Sequence, residues 1–388
     1  MAIQKLKTFD VYVILMSLEG IYFSTSLGGL SLSLIGSFLF LTRIKFRSIA
    51  INIKSVYGNS LFLLGLFLTF TSFFIGSSII GNLSRLWISI FIAYFLPYLD
   101  ISSQKWANAI KKTILFHALF LIFDFIFETP WGWDAKGYFF LGLGSPDFHR
   151  AQGLFGEPSF YALTVNCLLL ILIILRKCSI YDCLLVLSTN LLSTSASGFL
   201  CSLVIFLTNY SFETILFLKK LFFKRLFDKK ILFILPFIFI FLAPFIIFNS
   251  DFIIKRLSDP LSDSSMLSRT IGTFSVLQYV FENSPIIGFG FGSEQLQNID
   301  FNNINLGSEI NENLQKIVPT TANSFVGIFF KGGFIGLFLY LLYILKALKL
   351  RFLIAYFLIL ASSGKTFFIF SFLVPAFNHY IKEREKKA

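Results

Sequence analysis

The chain has 388 residues, 56% hydrophobic and only 14% charged, with a mean hydropathy of +0.77. A soluble globular protein carries about 25% charged residues because its surface faces water, so soluble Rossmann, barrel and hydrolase classes are excluded and the chain reads as a polytopic membrane protein. The net charge of +12 then signals basic loops held on the cytoplasmic side of a membrane, and no nucleic-acid partner is expected.

A hydrocarbon core about 30 Å thick takes roughly 20 apolar residues per helix, fewer where a bundle shelters a short one. Runs of that kind predict spans near 9–27, 29–42, 57–78, 83–99, 108–127, 157–175, 181–194, 197–210, 231–249, 322–345, 351–362 and 366–381. The predicted fold is an all-α integral membrane bundle of about 12 transmembrane helices, 10–12 if the short hairpins at 181–210 and 351–374 are single spans. Residues 1–388 form one membrane domain. An even count puts both termini on one side, and a cytoplasmic N-terminus places 24 of the 33 basic residues inside. Merging either hairpin alone would export basic residues, so charge parity favours two hairpins, the first turning at Ser193–Gly198. No cleavable signal peptide is expected, because the apolar run after Lys5 and Lys7 becomes the first span. The four cysteines, Cys167, Cys178, Cys183 and Cys201, lack the spacing of a disulfide framework or a zinc site.

Two outside loops remain, at 128–156 and 250–321. The second has 72 residues, too many for a simple connector. Within it Leu267, Ile271, Phe274, Leu277 and Phe281 recur at helical spacing, which predicts an amphipathic helix on the membrane or across the bundle mouth, or else an ordinary packed loop helix.

Three constellations carry candidate chemistry. The first is His149-Arg150-Ala-Gln-Gly153-Leu-Phe-Gly156-Glu157-Pro158-Ser159. Pro158 suits the first turn of a helix, whose N-terminus then opens on the outer mouth and attracts anions. Arg150 can fold back over the same spot for a bidentate phosphate contact, and Glu157 either accepts a proton there or simply complements the helix dipole and pairs with Arg150. The second runs from Arg256 through Asp259, Asp263 and Arg269 to Gly288-Phe-Gly290-Phe-Gly292. Arg256 and Arg269 are candidates for a second anionic contact or for surface ion pairs with the two aspartates. The glycine run lacks the strand-turn-helix setting of a nucleotide loop and predicts a tight turn back to the membrane. The third is Thr320-Thr-Ala-Asn323-Ser-Phe, leading to Lys331-Gly-Gly333-Phe-Ile-Gly336-Leu337. Thr320, Thr321 or Asn323 caps a helix. Lys331 is a charge inside a span, facing a cavity or an acidic partner such as Glu19 or Asp124, and the three glycines allow close helix packing.

Arg150-x-x-Gly-x-Phe-x-Glu-Pro-Ser159, the Ser-x-Ser-Gly198 turn, the long loop with Arg269 and Gly-x-Gly, and Asn323-Ser-Phe before Lys331-Gly-Gly-Phe-Ile-Gly-Leu337 together resemble Wzy-type O-antigen and capsular polysaccharide polymerases. The likeness covers roughly 150–198 and 256–337. It implies a GT-C-like glycosyltransferase architecture in the bacterial inner membrane, with both termini cytoplasmic. It also implies transfer of a growing glycan from undecaprenyl diphosphate onto a lipid-linked repeat unit at the periplasmic face, within the lipopolysaccharide or polysaccharide biosynthesis of the cell. The partners are then the undecaprenyl-diphosphate-linked oligosaccharide, membrane lipid and a chain-length regulator protein. In that reading Glu157 is the base with His149 second, Arg150, Arg256 and Arg269 hold the diphosphate with Asn323 and Lys331 beside them, and no metal or cofactor takes part. Related O-antigen ligases tend to carry His just before Asn-Ser-Phe where this chain has Ala322, which lowers the ligase alternative. A lipid-linked oligosaccharide flippase is the other alternative, against which stands the lack of repeated halves.

Overall fold

A computed structural model describes residues 7–18, 22–23, 30–43, 56–75, 80–99, 101–127, 131–133, 139–141, 151, 153–155, 158–193, 195, 197–208, 272–291, 323–362 and 369–387. Among them are twelve α-helices: α1 (Thr8–Ser17), α2 (Leu32–Arg43), α3 (Val56–Ile75), α4 (Ile80–Phe95), α5 (Ser103–Phe127), α6 (Pro158–Ile174), α7 (Ile180–Leu192), α8 (Ser197–Thr208), α9 (Thr273–Asn283), α10 (Ser324–Ala347), α11 (Leu350–Ala361) and α12 (Ile369–Lys387). The helical class holds. Two short antiparallel ribbons accompany it: β1 (Tyr22–Phe23) pairs with β2 (Leu30–Ser31), and β3 (Trp131–Trp133) pairs with β4 (Phe139–Leu141). Within the expected span at 9–27, α1 ends at Ser17 and Tyr22–Phe23 form β1, whose partner β2 leads directly into α2. The expected span at 231–249 lies outside the described residues, so the twelve helices seen are not the twelve spans predicted; α9 belongs to the long loop.

α6 is the centre of the bundle. Sixteen of its seventeen residues are buried, as expected of a helix apolar on every side. α5, α7, α11 and α12 pack around it. The chain leaves α6 through Arg176 and re-enters the bundle in α7, whose start is fixed by a capping box: Ser179 Oγ accepts the Asp182 N–H while Asp182 Oδ2 accepts the Ser179 N–H. α7 climbs until Asn190 Nδ2 reaches Asn166 Oδ1 of α6 at 3.2 Å. The chain then reverses at Ser193–Ser195. A Cβ on Gly198 would overlap Ala162 of α6, and Gly198 O accepts from both Asn166 and Asn190. Residues 180–208 thus hold two separate helices, α7 and α8, whose facing ends meet at Asn166 of α6. The second hairpin behaves alike. Tyr340 of α10 meets Tyr356 of α11 at 3.1 Å, Tyr356 donates to Ser371 O and Tyr343 to Phe372 O of α12, and Asn378 donates to Ala347 O. α10 and α12 therefore run the same way, with α11 between them in the opposite sense.

These pairings gather the polar loops at one end of the bundle. Lys112 pairs with Asp10 at 2.5 Å, Lys111 with Asp182 at 2.8 Å and Arg176 with Glu385 at 3.0 Å. Lys346, Lys349, Lys382 and Arg384 sit on the same ends of their helices. Here too Cys178 and Cys183 approach to 3.4 Å between sulfurs, although both are free thiols. Sequence spacing did not reveal that pair, because the turn between α6 and α7 brings it together. The contact with Cys183, added to burial, pushes the Cys178 thiol up from its ordinary range.

Among the described residues α10 alone is long and apolar enough to cross a membrane by itself; α1, α6, α7, α8 and α11 are apolar but have only 10–17 residues.

Candidate active site

α6 and α10 both start at the end of the bundle opposite the basic one. Asn323 is the N-cap of α10, its Oδ1 accepting the Phe325 N–H at 2.8 Å, which satisfies one of the free donors of the first turn. The helix is not continuous. At Gly333 (φ 56°, ψ −155°) it breaks, in a region of backbone space that only glycine enters readily. A break frees backbone donors and acceptors that a bundle interior must satisfy. The long loop supplies the partners. Phe289 N–H donates to Phe330 O at 2.8 Å and Gly290 N–H to Lys331 O at 2.9 Å, while Pro285 O accepts from Phe334 N–H and Ile286 O from Ile335 N–H. The glycine run of the loop and the glycine pair of α10 are thus two halves of one crossing, at which Gly288 lies on the Gly332–Gly333 backbone. Ser72 of α3 closes it from the other side by accepting the Phe291 N–H at 3.0 Å, and a Cβ on Gly290 would press on the Ser72 backbone at 2.7 Å.

Lys331 stands at the end of the first half of α10, its Nζ 5.5 Å from the centre of the Phe291 ring. By helical rise the break is about 21 Å from the far end of α10, in the outer part of the helix. Gly332 and Gly336 face Phe67 and Leu68 of α3, Gly332 in the close packing expected of it and Gly336 with ordinary room. α9 rests on this half-helix through Val276 and Val280, which pack on Val326, Phe329 and Phe330. The expected stripe is met in part: Leu277 packs on the same cluster and the Phe281 ring meets Phe329 and Phe334 of α10, while Phe274 is 65% exposed and Leu267 and Ile271 lie outside the described residues.

The start of α6 is seated on α5. Gly153 N–H donates to Asp124 Oδ2 at 2.9 Å. Phe155 lies on the His117 ring, centroids 5.0 Å apart, and His117 Nε2 is 2.6 Å from Ser17 Oγ. Asp124, offered by the sequence as a partner for Lys331, has its carboxylate on the Gly153 turn; Glu19 lies outside the described residues. Ser72, Asp124 and the Asn166–Asn190 pair were not singled out as site residues by sequence. The available signal was polar groups inside apolar helices, with Asp124 two turns above His117 on one face of α5.

Of the predicted site residues, Asn323 and Lys331 are placed as described, on one half-helix. His149, Arg150, Glu157, Arg256 and Arg269 lie outside the described residues, as do Thr320 and Thr321. Among the described residues no group of three or more His, Cys, Asp or Glu side chains is arranged to hold a metal. A small cleft elsewhere in the bundle is lined by Ser33, Ser37, Arg85 and Ser89.

No curated protein matches the chain. Residues 141–375 match the model of a family described as WcaD colanic acid polymerase, a stretch that runs from β4 through the α6 start, the α7–α8 turn, α9 and the broken α10 into α12. It contains all three constellations singled out from the sequence and spans more than half of the chain, which therefore belongs to the WcaD colanic acid polymerase family, polysaccharide polymerases of the Wzy type.

Proposed function

We propose that the chain is a metal-independent glycosyltransferase of the bacterial inner membrane. It extends a polysaccharide by moving the growing glycan from undecaprenyl diphosphate to the terminal sugar of a new lipid-linked repeat unit at the periplasmic face. Family membership carries the polymerase reading. A bundle of about 12 spans with both termini cytoplasmic is supported by the basic end, where the polar loops of α1, α5, α6–α7, α10–α11 and α12 meet. It is supported also by exposed Leu66, Phe70, Phe74, Leu119, Phe338 and Ile354 on outward helix faces, an apolar surface of the kind that faces lipid.

In the reaction an acceptor hydroxyl attacks the anomeric carbon of the donor glycan. The bond from that carbon to the diphosphate oxygen breaks, the hydroxyl proton passes to a base, and the lipid diphosphate leaves with increased charge on its oxygens. Arg150, Arg256 and Arg269 offset that charge, each well-placed donor contributing about 2.7–4 kcal/mol. The N-termini of α6 and α10 add their free N–H groups, and Lys331 adds a cation beside the crossing. Glu157 takes the proton, with His149 as the second choice; the base must lie within hydrogen-bond reach of the hydroxyl. A chain-length regulator is the expected protein partner.

Surface polysaccharide from a deletion strain, resolved on a gel with and without plasmid complementation, checks the reading. Loss of the ladder to a single repeat unit, restored by the plasmid, is expected. Glu157→Gln is expected to fail to restore the ladder at wild-type abundance, and Arg150→Ala with Arg269→Ala likewise. Full polymer from Glu157→Gln would remove it as the base, and bare core with polymer still on its carrier would make the protein a ligase instead.

A further inference from the structure

Asp124 is fully buried in α5, and an acidic side chain inside a membrane bundle is costly to bury and marks function more often than packing. Its Oδ2 takes the Gly153 N–H at 2.9 Å. Gly153 itself has φ +59°, a conformation that favours glycine, and a Cβ there would be in ordinary contact with the Leu121 backbone at 3.4 Å, so the turn lies against α5 beside the carboxylate. Ala151 and Phe155 on either side are each 1% exposed, and Phe155 is stacked on His117, which Ser17 holds from α1. The turn is thereby fixed to α5 by the hydrogen bond to Asp124 and the ring contact with His117. Arg150 lies three residues before Gly153 and Glu157 four residues after it.

We propose that Asp124 is a positioning residue of the glycosyl-transfer site: by holding Gly153 it fixes the turn that lies in the sequence between Arg150 and Glu157, the two residues assigned above to the lipid diphosphate and the acceptor hydroxyl. The role rests on the reading of those two residues given above. Purified protein in proteoliposomes with a lipid-linked repeat unit tests it through Asp124→Ala and Asp124→Asn, with hydrogen exchange of the peptide that carries Gly153 and thermal unfolding measured alongside. Loss of one hydrogen bond is expected to speed exchange of the Gly153 amide about tenfold in Asp124→Ala. That variant should lower kcat about a hundredfold, the cost of a misplacement on the order of 1 Å, with KM nearly unchanged. Asparagine keeps an oxygen for the same N–H, so Asp124→Asn is expected to restore protection and most of kcat. A wild-type kcat in Asp124→Ala, an Asn variant as slow as the Ala one, or a loss of kcat matched by an equal loss of folded protein would each overturn the role. Exchange needs no turnover, so a wild-type protein that shows the Asp124-dependent protection but makes no polymer would bring down the glycosyl-transfer reading, and the positioning role with it.

Discussion

Gly333 concentrates the chemistry of the site into one backbone conformation. Its φ of 56° with ψ of −155° belongs to a region essentially closed to residues with a Cβ, at about 1–3 kcal/mol for the backbone alone. A methyl there would also overlap the Ile286 carbonyl that closes the crossing. Gly336, one turn on, is an ordinary helical glycine whose Cβ would meet its nearest neighbours at 3.8 Å. Gly333→Ala is therefore expected to cut the yield of folded protein sharply and lower its melting temperature, while Gly336→Ala leaves both near wild type. Fluorescence size-exclusion and thermal unfolding of the two variants side by side check this, and equal behaviour would mean that the break in α10 is not obligatory. Sequence reading credited all three glycines with close packing. Gly332 meets that expectation, with Leu68 3.0 Å from where a Cβ would sit, and Gly336 has ordinary room, but nothing in Lys331-Gly-Gly-Phe-Ile-Gly says which of the three leaves the helix. That is decided by Pro285–Phe291, a segment more than forty residues away that brings the missing hydrogen-bond partners.

At the level of elements, periodicity located helices better than it chose their faces. The apolar pattern placed a helix within residues 267–281, and α9 is there, yet the side it buries carries Ser275, Val276 and Val280. Leu277 and Phe281 of the expected stripe reach α10 as well, so period alone cannot rank the side chains; Val276 and Val280 fill the contact with Val326, Phe329 and Phe330, and Phe274 is left exposed. A carboxylate forced into that contact leaves a buried charge unpaired, which costs several kcal/mol. Val280→Asp should accordingly destroy the seat of α9 on α10 and the polymer with it, and Phe274→Ser should leave both nearly intact. Limited proteolysis of the long loop in membranes reports the first effect and the polysaccharide ladder the second. If Phe274→Ser were the damaging change, α9 would sit by the face read from sequence. The two short helix pairs were expected for a different reason: a single span in either place would export Lys346, Lys349 and Arg351 or the terminal basic run, and α7 with α8, and α11 with α12, are separate helices.

For the molecule as a whole, composition was sufficient to give the helical class, because a chain so poor in charge offers apolar helices along its whole length; charge supplied an expected orientation. The site was less legible. Its motifs were visible, but the groups that hold them, Ser72, Asp124 and the Asn166–Asn190 pair, act across helices and leave no local pattern. The orientation now has a structural counterpart that makes it testable. Lys177 lies exposed at the end of the bundle where Lys111, Lys112 and Arg176 meet their carboxylates, and Gln278 lies exposed on α9 beside the opposite half of α10. With both termini cytoplasmic, Lys177 faces the cytoplasm and Gln278 the periplasm. In a background with Cys167, Cys178, Cys183 and Cys201 changed to serine, Gln278→Cys should react with a membrane-impermeant maleimide in cells whose outer membrane alone is permeabilised, and Lys177→Cys only once the inner membrane is opened. The reverse pattern would invert the bundle and move the α6 and α10 starts to the cytoplasm, away from the face proposed above for the reaction. Labelling of both positions before the inner membrane is opened would place the two ends on one side and end the reading of α6 and α10 as spans.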